Sequence, residues 1–186
     1  MVEGWHAPAL VSAGPEPWTE DQLTTYLRTG FSSAHGAAAG PMTAVSAQLA
    51  AVPETDVRAI AVYLASLKPD AATSDRATTA APEDPTATAI FDGACGACHA
   101  APASNPPLER SAALRAPTAG NAAEVILHGL PWREGHAGPY MPGFAASLTD
   151  AQAAGVLALL RGRSGNPPWP DVDSAVRAAR QEGGGT

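Results

Sequence analysis

Two cysteines stand three positions apart with a histidine immediately after them, Cys95-Gly96-Ala97-Cys98-His99, and the chain has no other cysteine. A pair this close cannot build the distributed disulfide framework of a small secreted domain, so the spacing asks for a cofactor or a redox role. The pattern is that of covalent c-type haem attachment: two thioether bonds fix one porphyrin edge and the adjacent imidazole reaches the iron. Gly96 and Ala97 are small enough to let the backbone approach the ring. A dithiol redox pair uses the same spacing, but it lacks a βαβ context here and leaves His99 unexplained. A zinc site needs four ligands, and only distant histidines could complete it. The expectation is one haem c per chain, attached through Cys95 and Cys98, with His99 as proximal iron ligand.

The sixth iron ligand should be a soft side chain delivered by a loop, because a thioether favours ferrous iron, raises the potential and closes the metal to substrates. Met141, in Tyr140-Met141-Pro142-Gly143-Phe144, is the candidate distal ligand. Its place between prolines and glycines, away from any helix face, weighs against simple core packing. His128 and His136 are the alternatives; the first suits a helix end, where a histidine meets the dipole, and the second a solvated loop. Trp132, Tyr140 and Phe144 are candidates to wall the cofactor.

Helix signals punctuate the rest of the chain. Thr19 and Gln22 form a capping box that opens a helix running to Arg28 and stopping at Gly30, and Trp18 can staple onto Leu23. After a loop from Phe31 to Pro41, Val57, Ile60, Ala61 and Leu64 repeat at helical spacing between Pro53 and Leu67. Residues 70–85, rich in Ala, Thr, Pro and Asp, read as a linker. A short helix over Thr86 to Ala94 delivers Cys95, a turn or two is expected over Leu108 to Leu114, and Asn121 can cap a helix ending at Gly129. A second capping box, Thr149 with Gln152, opens a helix through Val156, Leu159 and Leu160 that ends near Arg161-Gly162. Beyond it lies a weakly amphipathic segment through Val172, Val176 and Ala179.

The two halves are alike. Gly30 closes a helix twelve residues before Met42 and Gly129 closes one twelve residues before Met141; a histidine and a Gly-Pro precede each methionine, His35 and Gly40-Pro41 in one case, His136 and Gly138-Pro139 in the other. This suggests two related modules, the first without its beginning.

Bulk properties exclude some partners. A formal charge of −7, from 18 acidic against 11 basic residues without a basic cluster, offers no footprint for a nucleic-acid backbone or an anionic bilayer. No run approaches the roughly 18 apolar residues that span a membrane, and residues 1–5 carry no signal-peptide pattern.

With these residues the chain resembles the small cytochrome c family, and more closely the multi-haem cytochrome subunits of membrane-associated bacterial alcohol, aldehyde and gluconate dehydrogenases. Similar subunits serve molybdenum hydroxylases such as isoquinoline or nicotinate oxidoreductases. Trp5-His6-Ala7-Pro8, Trp18-Thr19-Glu20-Asp21, Tyr26-Leu27-Arg28-Thr29-Gly30 and Gly40-Pro41-Met42 look like the family's second domain after its haem motif. The resemblance implies an all-α fold: a small cytochrome c-like helical domain at 86–163, preceded by an incomplete cytochrome c-like module at 1–69 that lacks its Cys-x-x-Cys-His, with a linker at 70–85 and an extension at 164–186. It implies one-electron transfer without catalysis by this chain, a catalytic dehydrogenase subunit as donor, and a quinone or cytochrome as acceptor. The implied place is the periplasm, with inner-membrane association through partners. A haem enzyme binding peroxide or another small ligand, and a docking fragment of an oxidoreductase complex, are the competing expectations.

Overall fold

The computed structural model describes residues 4–8, 17–67, 83–100, 107–108, 111–130 and 140–183. Expectations that fall on most of the linker, Trp132 and His136 lie outside these residues.

The described fold is mostly helical. Helix α1, Glu20–Thr29, starts on the expected capping box, with the Gln22 amide donating to Thr19 Oγ1 at 3.2 Å and the Thr19 amide to Gln22 Oε1 at 3.0 Å. It stops at Gly30, whose φ of 72° turns the chain into the left-handed region while its N–H caps the Tyr26 carbonyl. A two-residue strand β1, Phe31–Ser32, then pairs antiparallel with β2, Gly36–Ala37, pairing Phe31 with Ala37. Helix α2, Pro41–Ala50, and helix α3, Glu54–Ser66, follow, and both pack on α1. Leu23 and Leu27 of α1 are buried, as are Val57 and Ala61 of α3.

Met42 lies in the first turn of α2, because Pro41 occupies the first helical position directly after Gly40. Trp5 packs on that corner: a Cβ at Gly40 would lie 2.3 Å from the indole Cε2. Trp18 stacks on the His35 ring, with centroids 3.7 Å apart.

The second group of elements is α4 (Pro85–Ile90), a π-helical turn (Phe91–Cys95), α5 (Gly96–His99), α6 (Ala112–Arg115), α7 (Gly120–His128), α8 (Asp150–Arg163) and α9 (Val172–Gly183). The Thr149 and Gln152 capping box opens α8. One apolar core gathers Ala87, Phe91, Ile126, Leu127, Val156, Leu157, Trp169 and Val176 among others, all from residues 87–179. The segment after α8 is thus part of this core. Trp169 donates through Nε1 to the Ala116 carbonyl at 2.8 Å, and the buried Arg161 guanidinium lies 4.5 Å from its ring centre.

Asn121 does not cap α7. The helix begins one residue earlier, and the Asn121 amide instead closes a two-bond clasp on His6, accepting from its N–H and donating to its carbonyl, both at 2.8 Å. Residues 4–8 therefore touch both groups of helices.

Candidate functional site

Cys95, Cys98 and His99 are delivered by a helix that changes its winding as it reaches them. Helix α4 is capped by the Asp84 carboxylate, and Ala87 and Phe91 anchor it in the core. At Phe91 the helix widens by one residue per turn, so that the Gly96 N–H caps the Phe91 carbonyl five positions back. Such π turns cluster at functional sites because the extra residue re-aims the side chains beyond it. Cys95 ends the widened turn and Gly96–His99 continue as α5. Cys95 stands three and four positions before Cys98 and His99, so the spacing gathers the two thiols and the imidazole within about one turn at the end of this helix.

The helix is pinned from α8. A Cβ at Gly155 would lie 3.6 Å from Ala87 Cβ, so α4 and α8 meet at two small residues. Arg163 completes the anchor, lying 5.0 Å from the Phe91 ring centre and making a two-bond fork to the Glu83 carboxylate, both arms 2.9 Å.

Neither cysteine is in a disulfide, and Cys95 is half-buried while Cys98 is exposed. Burial, and secondarily the neighbouring Cys98, push the Cys95 thiol up. That is the opposite of the depressed value an attacking thiolate requires, which weighs against thiol exchange. Burial pushes His99 down, favouring the neutral imidazole that ligates metals. Its Nδ1 is buried with no hydrogen-bond partner among the described residues. Orphaned buried polar atoms of this kind point to a group that the polypeptide does not itself supply. Two thiols and an imidazole within one turn of a helix, with a thioether packed on the same core as Cys95, are the donor set that haem c takes, so the residues present fit it. Among the described residues no group of three or more His, Cys, Asp and Glu could hold a metal ion, so the zinc alternative gains no further donors there.

Met141 reaches the same core from the connection between α7 and α8; it and Cys95 are both part-buried residues packed against the core. The backbone that carries it is laid on the C-terminus of α7. Met141 and Leu130 exchange two backbone bonds of 3.0 and 2.8 Å, and the amides of Phe144 and Ala145 donate to the carbonyls of Ile126 and Leu127, both at 3.0 Å. Carbonyls that a helix end leaves without partners are thereby satisfied by the methionine loop. Two glycines permit the approach. A Cβ at Gly129, where φ is 73°, would lie 2.2 Å from the Met141 oxygen, and one at Gly143 would lie 2.6 Å from the Leu127 oxygen. The motif and the methionine were visible in the sequence, whereas this role of Gly143 was not, since it needs the loop already lying on the helix end.

The other candidates divide. His128 is engaged elsewhere: its Nε2 donates to the Ala179 carbonyl of α9 at 2.9 Å, with the Glu124 carboxylate 3.7 Å away. Phe144 is half-buried, and Tyr140 is exposed. No described helix is long and apolar enough to cross a membrane.

Comparison with known proteins adds an independent line. Residues 82–160 match the family model described as cytochrome C oxidase, cbb3-type, subunit III. The chain is similar to a nicotinate dehydrogenase subunit from Pseudomonas putida, 39% identical over 200 aligned positions that cover 99% of this chain and 17% of that protein. It is also similar to the gluconate 2-dehydrogenase cytochrome c subunit of Pantoea cypripedii, 33% identical over 89% of this chain and 42% of the relative. The fructose dehydrogenase cytochrome subunit of Gluconobacter japonicus is 28% identical over 53% of this chain and 25% of its own length. The chain thus spans less than half the length of each of these relatives.

Proposed function

The chain carries a cytochrome c-family domain over residues 82–160, and we propose on that basis that it transfers single electrons through one covalently held haem c. Cys95 and Cys98 are the thioether attachment residues, His99 is the proximal ligand and Met141 the distal one. The observation that supports this reading is the placing of Cys95, Cys98 and His99 within one turn at the end of a widened helix, with Cys95 packed against a core that also receives Met141. Bound there, haem supplies a one-electron iron couple.

The residues around it do the rest. Cys95 and Cys98 would hold the group covalently. His99 and the loop-borne Met141 would ligate the iron of the bound group, and two protein ligands would favour outer-sphere exchange over binding of small molecules. His128, bonded to Ala179, is not placed as a catalytic base. We assign residues 86–163 as the haem domain with 164–186 as its extension, 70–85 as linker, and 1–69 as an incomplete related module. That module holds Met42 but no cysteine. In the proposed setting the electron donor is the catalytic subunit of a periplasmic dehydrogenase, the acceptor is a quinone or another cytochrome, and the inner membrane is reached through these partners.

The test is a covalent haem count. The chain, matured with the c-haem attachment machinery, should show one haem by denatured pyridine haemochrome and the matching increase in intact mass. Both should vanish in Cys95→Ser/Cys98→Ser. Unmodified polypeptide from a host that matures other c-type proteins would sink the proposal.

A further inference from the structure

We propose that helix α9 clamps the loop that carries Met141, and that Arg180 is the positioning residue through which it acts. The inference rests on Met141 being the distal ligand.

Residues 144–150 join the methionine segment to α8, and one guanidinium gathers three acceptors from them. Arg180 Nε donates to Asp150 Oδ1 at 2.6 Å, Nη2 donates to the Leu148 carbonyl at 2.8 Å, and Nη1 donates to the Ala145 carbonyl. The planar fork of an arginine fixes several acceptors at once, which the point charge of a lysine does not.

Ala145 shows why this geometry bears on the ligand. Its N–H is bonded to the Leu127 carbonyl of α7 and its C=O to Arg180 of α9, so one peptide segment is pinned from two helices only four residues beyond Met141. The clamp is itself anchored. Val176 and Ala179 are buried in the core, and the Ala179 carbonyl, one residue before Arg180, accepts from His128 at the end of α7. Helices α7 and α9 therefore both hold the segment that follows Met141, and the sequence beyond α8 contributes to how firmly the thioether is held.

Losing Arg180 leaves the carbonyls of Ala145 and Leu148 and the Asp150 carboxylate to water, and the loop opens more often. Opening is what lets an exogenous ligand take the place of a thioether. A hydrogen bond to a charged group contributes about a factor of ten or more, reduced for a part-exposed side chain. Arg180→Gln is therefore expected to bind imidazole about tenfold more tightly in the ferric haem-loaded chain, with Arg180→Lys between it and the parent. The titration follows the loss of the thioether-to-iron charge-transfer band. An arginine that merely stabilises the fold would lower the urea midpoint and leave imidazole affinity, measured well below that midpoint, unchanged. Parent-like affinity in a folded Arg180→Gln overturns the clamp. Should that variant not fold, parent-like affinity in both Arg180→Lys and Asp150→Asn overturns it equally. A band absent from the parent, or surviving in Met141→Leu, overturns the assignment of Met141 first and the clamp with it.

Discussion

Replacing Gly129 by alanine should detach the methionine loop. Gly129 holds φ 73° and ψ −166°, a region that is essentially glycine-only, so a side chain there costs about 1–3 kcal/mol before any contact is considered. The contacts are worse. The new Cβ would lie 2.2 Å from the Met141 oxygen and 2.7 Å from both Gly143 N and Pro142 C, all backbone atoms that cannot swing aside. The cheaper escape is to lift the loop, which surrenders at least the paired Leu130 and Met141 bonds of 2.8 and 3.0 Å, at about 1 kcal/mol each. The total is about 3–5 kcal/mol of stability. The assay is urea unfolding of the haem-loaded chain, with the ferric thioether band recorded beside it. The variant should lose that stability together with the band, and its reduction potential should fall as methionine ligation is lost. A Gly129→Ala protein within about 1 kcal/mol of the parent that keeps its band would refute the argument that this approach positions Met141.

Two further outcomes test the packing and the electrostatics. Leu157→Ala removes a fully buried side chain of α8 and should cost about 2–5 kcal/mol in urea unfolding, whereas Tyr63→Ala, at an exposed position of α3, should stay within about 0.5 kcal/mol; equal effects would show that the two sites are not packed as described. Burial, and secondarily repulsion from Glu182, raise the Glu124 carboxyl above 4.5 against the pull of His128, so the folded chain binds that proton more tightly than the unfolded one. Its contribution to stability is complete below the ordinary carboxylate value and is lost as pH rises through the raised one. Glu124→Gln should flatten the stability profile in that window, and parallel profiles for parent and variant would show that the shift is not felt by folding.

What the sequence made legible was what depends on neighbours a few residues away. The capping boxes of Thr19 with Gln22 and Thr149 with Gln152, the stops at Gly30 and Gly129, and the thiol and imidazole spacing are all of this kind, since their chemistry closes within one helical turn. Helix α2 was not seen because its Ala, Ser, Thr and Gln residues carry no apolar period; only Ser46 of it is buried. The π turn at Phe91 likewise has no local signature, although it sets where the cysteines point. The clasp of Asn121 on His6 and the fork of Arg180 on residues 145–150 join positions far apart in the chain, and nothing nearby announces them. Gly143 was noted only as a loop residue, because its reason for being glycine is the Leu127 carbonyl on another element.

Helices α3 and α8 show where periodicity ends as a guide. Each starts on a short polar turn and repeats apolar residues at the same spacing, and each buries the residues at its fourth and eighth positions completely: Val57 and Ala61 in one, Ala153 and Leu157 in the other. The next pair along the helix parts company. Val156 and Leu159 of α8 are 1% and 6% exposed, whereas Ile60 and Tyr63 of α3 are 41% and 64% exposed. The 3.6-residue period selects which face is apolar, but burial is decided by what lies across it. Across α8 lies α4, meeting it at Gly155 and Ala87 and continuing directly into the turn that bears Cys95, Cys98 and His99. Helix α9 packs on α8 as well, so the second face of α8 is covered within one core, and one of the helices in that core, α4, leads directly into the turn that bears the thiols and the imidazole.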